Sequence, residues 1–170
     1  SVIIGKEYTV YAMTVREKFV WYYVKDDRIE DYPKWKPCVL FNVIDRRISR
    51  YWIYDYIGGS VMFTAPIWAY PEWVNDPDYY DRLTDGDEVD ERIYKQYKEK
   101  MDLEFPDNSV QIAAQIGDEE WLICPICIDA WSSTGHIDAL VRCPSCKTMM
   151  NNPRYIIDRK STRLNSSHLG

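Results

Sequence analysis

No apolar run in these 170 residues approaches the roughly 18 to 20 that a membrane-spanning helix needs. Lys6 and Glu7 interrupt residues 1–13 as the apolar start of a signal peptide. The expectation is a cytoplasmic protein with no membrane partner. Positive charge is in deficit: 21 Lys and Arg against 27 Asp and Glu leave a net charge of −6. That excludes the overall cationic field on which non-specific nucleic-acid binding relies and favours basic or neutral partners. Histidine is scarce, with two residues, so a histidine-dependent triad has little to draw on. There is no glycine-rich phosphate loop, since Gly58-Gly59 marks a turn and nothing more, and no nucleotide cofactor is expected. Internal repeats and low-complexity tracts are also missing.

What is there suits a folded chain. Hydrophobic residues make up 46% and aromatics 15%, and a chain of this length buries roughly 70% of its unfolded surface, so a Tyr/Trp core stands without disulfides. One domain with a small appendage is expected. Residues 158–168 (DRKSTRLNSSH) resemble the translation of a sequencing adapter, a resemblance that implies an artefactual tail over 158–170, to be set aside from fold reasoning. Without them one acid, three bases and His168 go, the charge deepens to −8, and His136 is the one histidine left. At the other end Met13 suits a true start with residues 1–12 a non-native extension, while Tyr8, Val10 and Tyr11 equally suit a genuine first strand.

Residues 15–24 (VREKFVWYYV) read as one strand. Residues 38–44 and 48–56 read as two more around Asp45-Arg46-Arg47, in an antiparallel hairpin closed by Gly58-Gly59, with 61–64 a short fourth strand. From Pro66 the character changes to loops and short helices. A longer helix is predicted over 87–101, where Val89, Ile93, Tyr97 and Met101 recur every four residues, with acids leading and Lys95, Lys98 and Lys100 following. A strand pattern through Val110, Ile112 and Ile116 ends at Gly117. The predicted class is α+β: a mainly antiparallel sheet with one or two helices over 1–117, then a cysteine-rich module over 118–157.

Four of the five cysteines form two tight pairs, Cys124-Pro-Ile-Cys127 and Cys143-Pro-Ser-Cys146, separated by fifteen residues. Two residues between cysteines let both thiolates reach one ion from a tight turn, and the proline fixes φ after the first. Residues 121–150 resemble a zinc ribbon. The resemblance implies that Cys124, Cys127, Cys143 and Cys146 are the ligands of one structural Zn(II) in a closed site that has no position for catalytic water. It departs from the usual pattern at Ile128 and Lys147, which stand where ribbon knuckles often carry glycine. Trp121, Leu122, Ile123, Trp131, Ile137, Leu140 and Val141 are the expected packing residues around it.

Other candidates are weaker. Cys38 precedes an apolar run and reads as a buried, inert thiol, and His136 reads as a loop residue. Arg46, Arg47 and Arg50 adjoin Tyr51, Trp52, Tyr54 and Tyr56, a combination on which single-stranded nucleic acid can stack. Residues 72–104 hold twelve acids against five bases, a negative surface for a basic protein partner, with Trp68, Trp73, Tyr79 and Tyr80 as candidate anchors. The expectation is a zinc-binding, non-enzymatic protein that acts as a protein-binding or adaptor module, of the general character of immunity or phage accessory proteins. The alternative is a nucleic-acid-associated zinc-ribbon factor.

Overall fold

The computed structural model describes residues 2–26, 31–57, 65–118, 120–135 and 137–155. The expectations placed on Gly58-Gly59, 61–64, His136 and 158–170 lie outside them. The class is α+β, with mainly antiparallel sheets, and the chain divides into two compact units, Ser1–Asp107 and Asn108–Gly170.

The first unit is built on a five-stranded sheet: β1 (Val10–Arg16), β2 (Phe19–Val24), β3 (Lys34–Pro37), β4 (Ile53–Ile57) and β5 (Ala65–Ala69), in the order β3-β2-β1-β5-β4. Residues 15–24 are not one strand. They hold the end of β1, a two-residue turn at Glu17-Lys18, and β2, and the hairpin pairs Arg16 with Phe19. Both turn residues have positive φ, 51° and 70°, the backbone of a tight hairpin turn that Asn-Gly ordinarily fills. Charged residues occupy the turn, so no breaker marks it in the sequence.

The expected hairpin between 38–44 and 48–56 is also absent. Cys38–Leu40 forms a single 3-10 turn, and β4 pairs with β5 while β3 pairs with β2. The chain from 41 to 52 is anchored instead by Glu104, whose carboxylate accepts from Ser49 Oγ at 2.6 Å and from the Arg50 N–H at 2.7 Å. Cys38 is half-buried in this segment.

Three helices, α1 (Pro71–Val74), α2 (Tyr79–Asp85) and α3 (Glu88–Glu104), share one core with a single face of the sheet. Gly86 ends α2 in the left-handed conformation at φ 87°. Asp87 caps α3 by accepting from the Val89 and Asp90 N–H groups. The buried positions of α3 are Asp90, Tyr94, Met101 and Glu104; of the predicted stripe Met101 is buried, Ile93 and Tyr97 pack against the core, and Val89 is exposed. No lysine stands in its last turn. Asp102 lies near that end, held by Lys98 at 2.5 Å and by the Tyr11 hydroxyl, which donates at 2.6 Å.

The core is aromatic. Tyr11, Tyr23, Tyr70, Trp73, Tyr79 and Tyr94 are buried together. Tyr97 stacks on Tyr70 at 4.1 Å and Tyr80 on Trp73 at 5.2 Å. Buried tyrosine hydroxyls usually find partners, and most of those here do. Tyr70 and Tyr79 hydroxyls pair at 2.8 Å, Tyr79 donates to the Asp90 carbonyl, and Tyr80 donates to the Pro33 carbonyl.

The second unit contains β6 (Gln115–Ile116), β7 (Trp121–Ile123) and β8 (Ala130–Ser132) in one antiparallel sheet, and β9 (Leu140–Arg142) with β10 (Met149–Asn151) in another. It begins at Asn108 and not near 118, because residues 110–114 bind β10. The Ala114 N–H donates to the Asn151 carbonyl, the Asn151 N–H to the Ile112 carbonyl, and the Asn151 side chain to the Val110 carbonyl. The expected strand through Val110, Ile112 and Ile116 shortens to β6 and a single parallel bridge between Ala113 and Asn151.

Candidate metal centre

Two hairpins of the second unit, β7–β8 and β9–β10, each carry one cysteine pair at the tip. Residues 124–129 join β7 to β8, and 143–148 join β9 to β10. The two turns share one hydrogen-bond pattern. The Cys124 N–H donates to the Asp129 carbonyl and the Ile128 N–H returns to the Cys124 carbonyl. The Cys143 N–H donates to the Thr148 carbonyl and the Lys147 N–H returns to the Cys143 carbonyl. To close these turns Ile128 and Lys147 adopt positive φ, 64° and 62°. These are the two positions where glycine is common in such knuckles, and the backbone takes the glycine-like conformation without the glycine.

The result brings the four sulfurs together. Cys124 and Cys146 Sγ atoms lie 3.6 Å apart, Cys127 and Cys143 Sγ atoms 3.5 Å, and all four lie within 4.8 Å of one another. An ion held by four thiolates at about 2.3 Å needs sulfurs about 3.8 Å apart along each tetrahedral edge. The observed set fits that requirement. In each pair the first cysteine is buried and the second exposed. Cys124 and Cys143 pack with Ala114, Leu122, Val141 and Met150, while Trp131 closes one side. Leu122, Leu140 and Val141 are buried as the sequence suggested, whereas Trp121 and Ile137 are exposed. Ala114 and Met150 have no motif to announce them. A search for apolar residues at the same offset from each cysteine pair would have found Met150, which follows the second pair as Trp131 follows the first.

Polar contacts around the sulfurs add to the fit. Ser145 in the second turn donates to Asp129 in the first at 2.7 Å, tying the two tips together. As a bare thiol, Cys127 is pushed up to about 12: a hydrogen bond from the Asp129 backbone works downward, but desolvation and the neighbouring thiols outweigh it. Cys146 is held down to about 6 by hydrogen bonds from the Thr148 side chain and backbone. Cys127 on its own therefore resists ionisation, and a cation held among the four sulfurs would offset that resistance.

The arginines expected to act together are dispersed in their roles. Arg47 is paired with Asp45, its Nε donating at 3.0 Å, and its guanidinium lies over Phe105. That pairing holds the Asp45 carboxyl below the usual range. Arg50 lies over Tyr51 and Arg46 is exposed. Among the expected partner anchors, Trp73 and Tyr79 are buried core residues, because the aromatic content of 70–80 fills the space between α1, α2 and the sheet. Tyr80 stacks against Trp73 in the same core. Trp68 lies on the opposite face of the sheet, tilted against Tyr54 at 4.8 Å. The acids fare differently: Glu72, Asp78, Asp81, Asp85, Asp87 and Glu88 are exposed.

No helix among the described residues is long and apolar enough to cross a membrane. No protein-family model, curated protein or solved structure matches the chain.

Proposed function

We propose that this is a non-enzymatic, protein-binding module whose second unit is a zinc ribbon holding one structural Zn(II). The observation that carries the reading is the convergence of four cysteine sulfurs, from two hydrogen-bonded turns of the same design, within 4.8 Å of one another. Four thiolates in a tetrahedral arrangement suit zinc. A site with four protein ligands leaves none for substrate or water, so the ion would act on folding and not on chemistry. Cys124, Cys127, Cys143 and Cys146 would hold it, and the small cluster beneath them would depend on it.

The partner-binding half rests on charge. Exposed acids run from Glu72 through α2 to the start of α3, which suits a basic protein surface. Nucleic acid is the less favoured partner, because Arg47 is already paired with Asp45.

The test has two arms. Elemental analysis of the purified chain should give one zinc per chain. After complete chelation, circular dichroism and limited proteolysis should show loss of protection from Asn108 onward, while the unit ending at Asp107 persists. An unchanged digestion pattern without metal would sink the structural-zinc reading. For the partner, Asp78→Lys, Asp81→Lys and Asp85→Lys together should abolish retention of the protein captured by the native chain. Retention that survives this reversal removes the acidic surface from the function.

A further inference from the structure

The five-stranded sheet has two faces, and the helices use one. Its other face is built from strand positions that the register places side by side. Lys36, Tyr22, Met13, Trp68 and Tyr54 form a continuous row across all five strands. The next row holds Val20, Val15, Pro66 and Tyr56. Phe41 packs at one corner, on Tyr22. Tyr54 and Tyr56 remain 47% and 59% exposed.

The composition of this face stands apart from the rest of the chain. The net charge is −6, yet the strand positions here carry two lysines, Lys34 and Lys36, and no acid, with Lys36 paired at 3.2 Å to the buried carboxylate of Asp26 outside the strands. Aromatic and methionine side chains with no acids are the composition of an interface centre. On this face two acidic chains can approach without opposing exposed strand carboxylates.

We propose that this face binds a second copy of the same chain, sheet against sheet, about a two-fold axis parallel to the strands. Two antiparallel sheets stack face to face with their strands nearly aligned. A two-fold axis along the strands lays the β3 edge of one copy over the β4 edge of the other. The β3 edge with Lys34 then meets the partner copy's tyrosine edge, an arrangement that favours cation–π contact. An axis across the strands would set lysines over lysines.

The area sets the strength. Tyr54 and Tyr56 each leave on the order of 100 Å² of surface. With the half-exposed residues of the two rows, each copy contributes on the order of 500 Å², or about 1,000 Å² in total, the lower limit for a specific interface. The dimer is therefore weak, with a dissociation constant of about 10 to 100 μM.

Sedimentation velocity of the full chain, with its metal retained, from about 5 to about 300 μM tests this range. The expected result is a monomer at the low end and a growing dimer fraction at the high end. Tyr54→Asp with Tyr56→Asp should weaken the dimer at least tenfold while circular dichroism stays native. Tyr56→Asp alone, at the more exposed position, provides the same reading should the pair disturb the sheet. A chain that remains monomeric throughout overturns the proposal, as does a dimer indifferent to either variant. A monomer that instead retains a fluorescent single-stranded oligonucleotide through Tyr54 and Tyr56 overturns it in favour of a stacking surface for nucleic acid.

Discussion

Replacing Ile128 with glycine should strengthen metal binding, although it removes a large apolar side chain from the knuckle. Ile128 sits at φ 64°, where an L-residue costs about 1–2 kcal/mol and a branched Cβ is at the upper end. The side chain is 72% exposed, so little packing is lost on removing it. Glycine recovers the strain but gives the unfolded chain more freedom, which takes back about 0.5–1 kcal/mol. The balance is a gain of about 1 kcal/mol. Because an ion bound by the four sulfurs would organise the turn that Ile128 closes, this gain should be read as metal affinity about five-fold higher.

Competition against a chromophoric chelator measures that shift, and Ile126→Gly is the control. Ile126 is in the same turn and is also exposed, but its φ is not positive, so glycine there costs entropy with no strain to relieve. Lys147→Gly should gain less than Ile128→Gly. Its side chain is unbranched, and its ammonium donates to the Pro144 carbonyl at 2.5 Å, a contact that glycine forfeits. If Ile128→Gly weakens binding as Ile126→Gly does, the left-handed turn is not what limits the site.

Two further outcomes follow from the aromatic core. Tyr94 is 1% exposed and, among the described residues, its hydroxyl has no hydrogen-bond partner; Tyr94→Phe should therefore leave thermal stability unchanged or raise it by about 1 kcal/mol, whereas Tyr79→Phe, which loses its bonds to Asp90 and Tyr70, should lower it by about 1–2 kcal/mol. Burial raises the phenols of Tyr11, Tyr70, Tyr79, Tyr80 and Tyr94, so their neutral forms stabilise the fold in full below the ordinary value near 10, and that contribution is lost as pH climbs above it. Phenolate absorbance from these side chains should rise together with the loss of far-ultraviolet circular dichroism above about pH 10; a smooth ionisation of all 14 tyrosines with the fold intact would refute the packing assigned to them.

The fold was legible where composition and local chemistry agree and illegible where ordinary-looking residues do an unusual job. Asp87 before an acidic turn and an apolar period located α3 to within three residues at its far end. Glu17-Lys18 could not be read as a turn, since nothing about Glu or Lys favours positive φ. One strand was therefore expected where two are found. The stretch 48–56 has strand composition throughout, yet its first part is irregular, because Glu104, far along the chain, fixes Ser49 and Arg50. Such a long-range tie leaves no periodicity behind. The Trp and Tyr residues of 68–80 posed the opposite difficulty. Aromatic side chains serve cores and interfaces equally well, and only their placement separates buried Trp73 and Tyr79 from Trp68 on the other sheet face.

The cysteine cluster was legible for a different reason: thiolate chemistry constrains spacing more tightly than packing constrains apolar sequence. The same four cysteines could in principle form two disulfides, and here geometry discriminates. A disulfide would bring two sulfurs to about 2.05 Å. The closest contacts are 3.5 and 3.6 Å, and both link one turn to the other. All four sulfurs also remain within 4.8 Å, a separation in keeping with the edges of a tetrahedron around one centre. The strands behind each turn are three residues long, and isolated hairpins of that size are marginal in water. Among the described residues, what joins the two hairpins at their tips is the sulfur cluster and the Ser145–Asp129 hydrogen bond. One such bond contributes about 1 kcal/mol, against the 10 kcal/mol or more available from a structural zinc. Glycine at 128 and 147 would make both turns easier to form, and a bound zinc would more than offset the strain that Ile128 and Lys147 carry in glycine's absence.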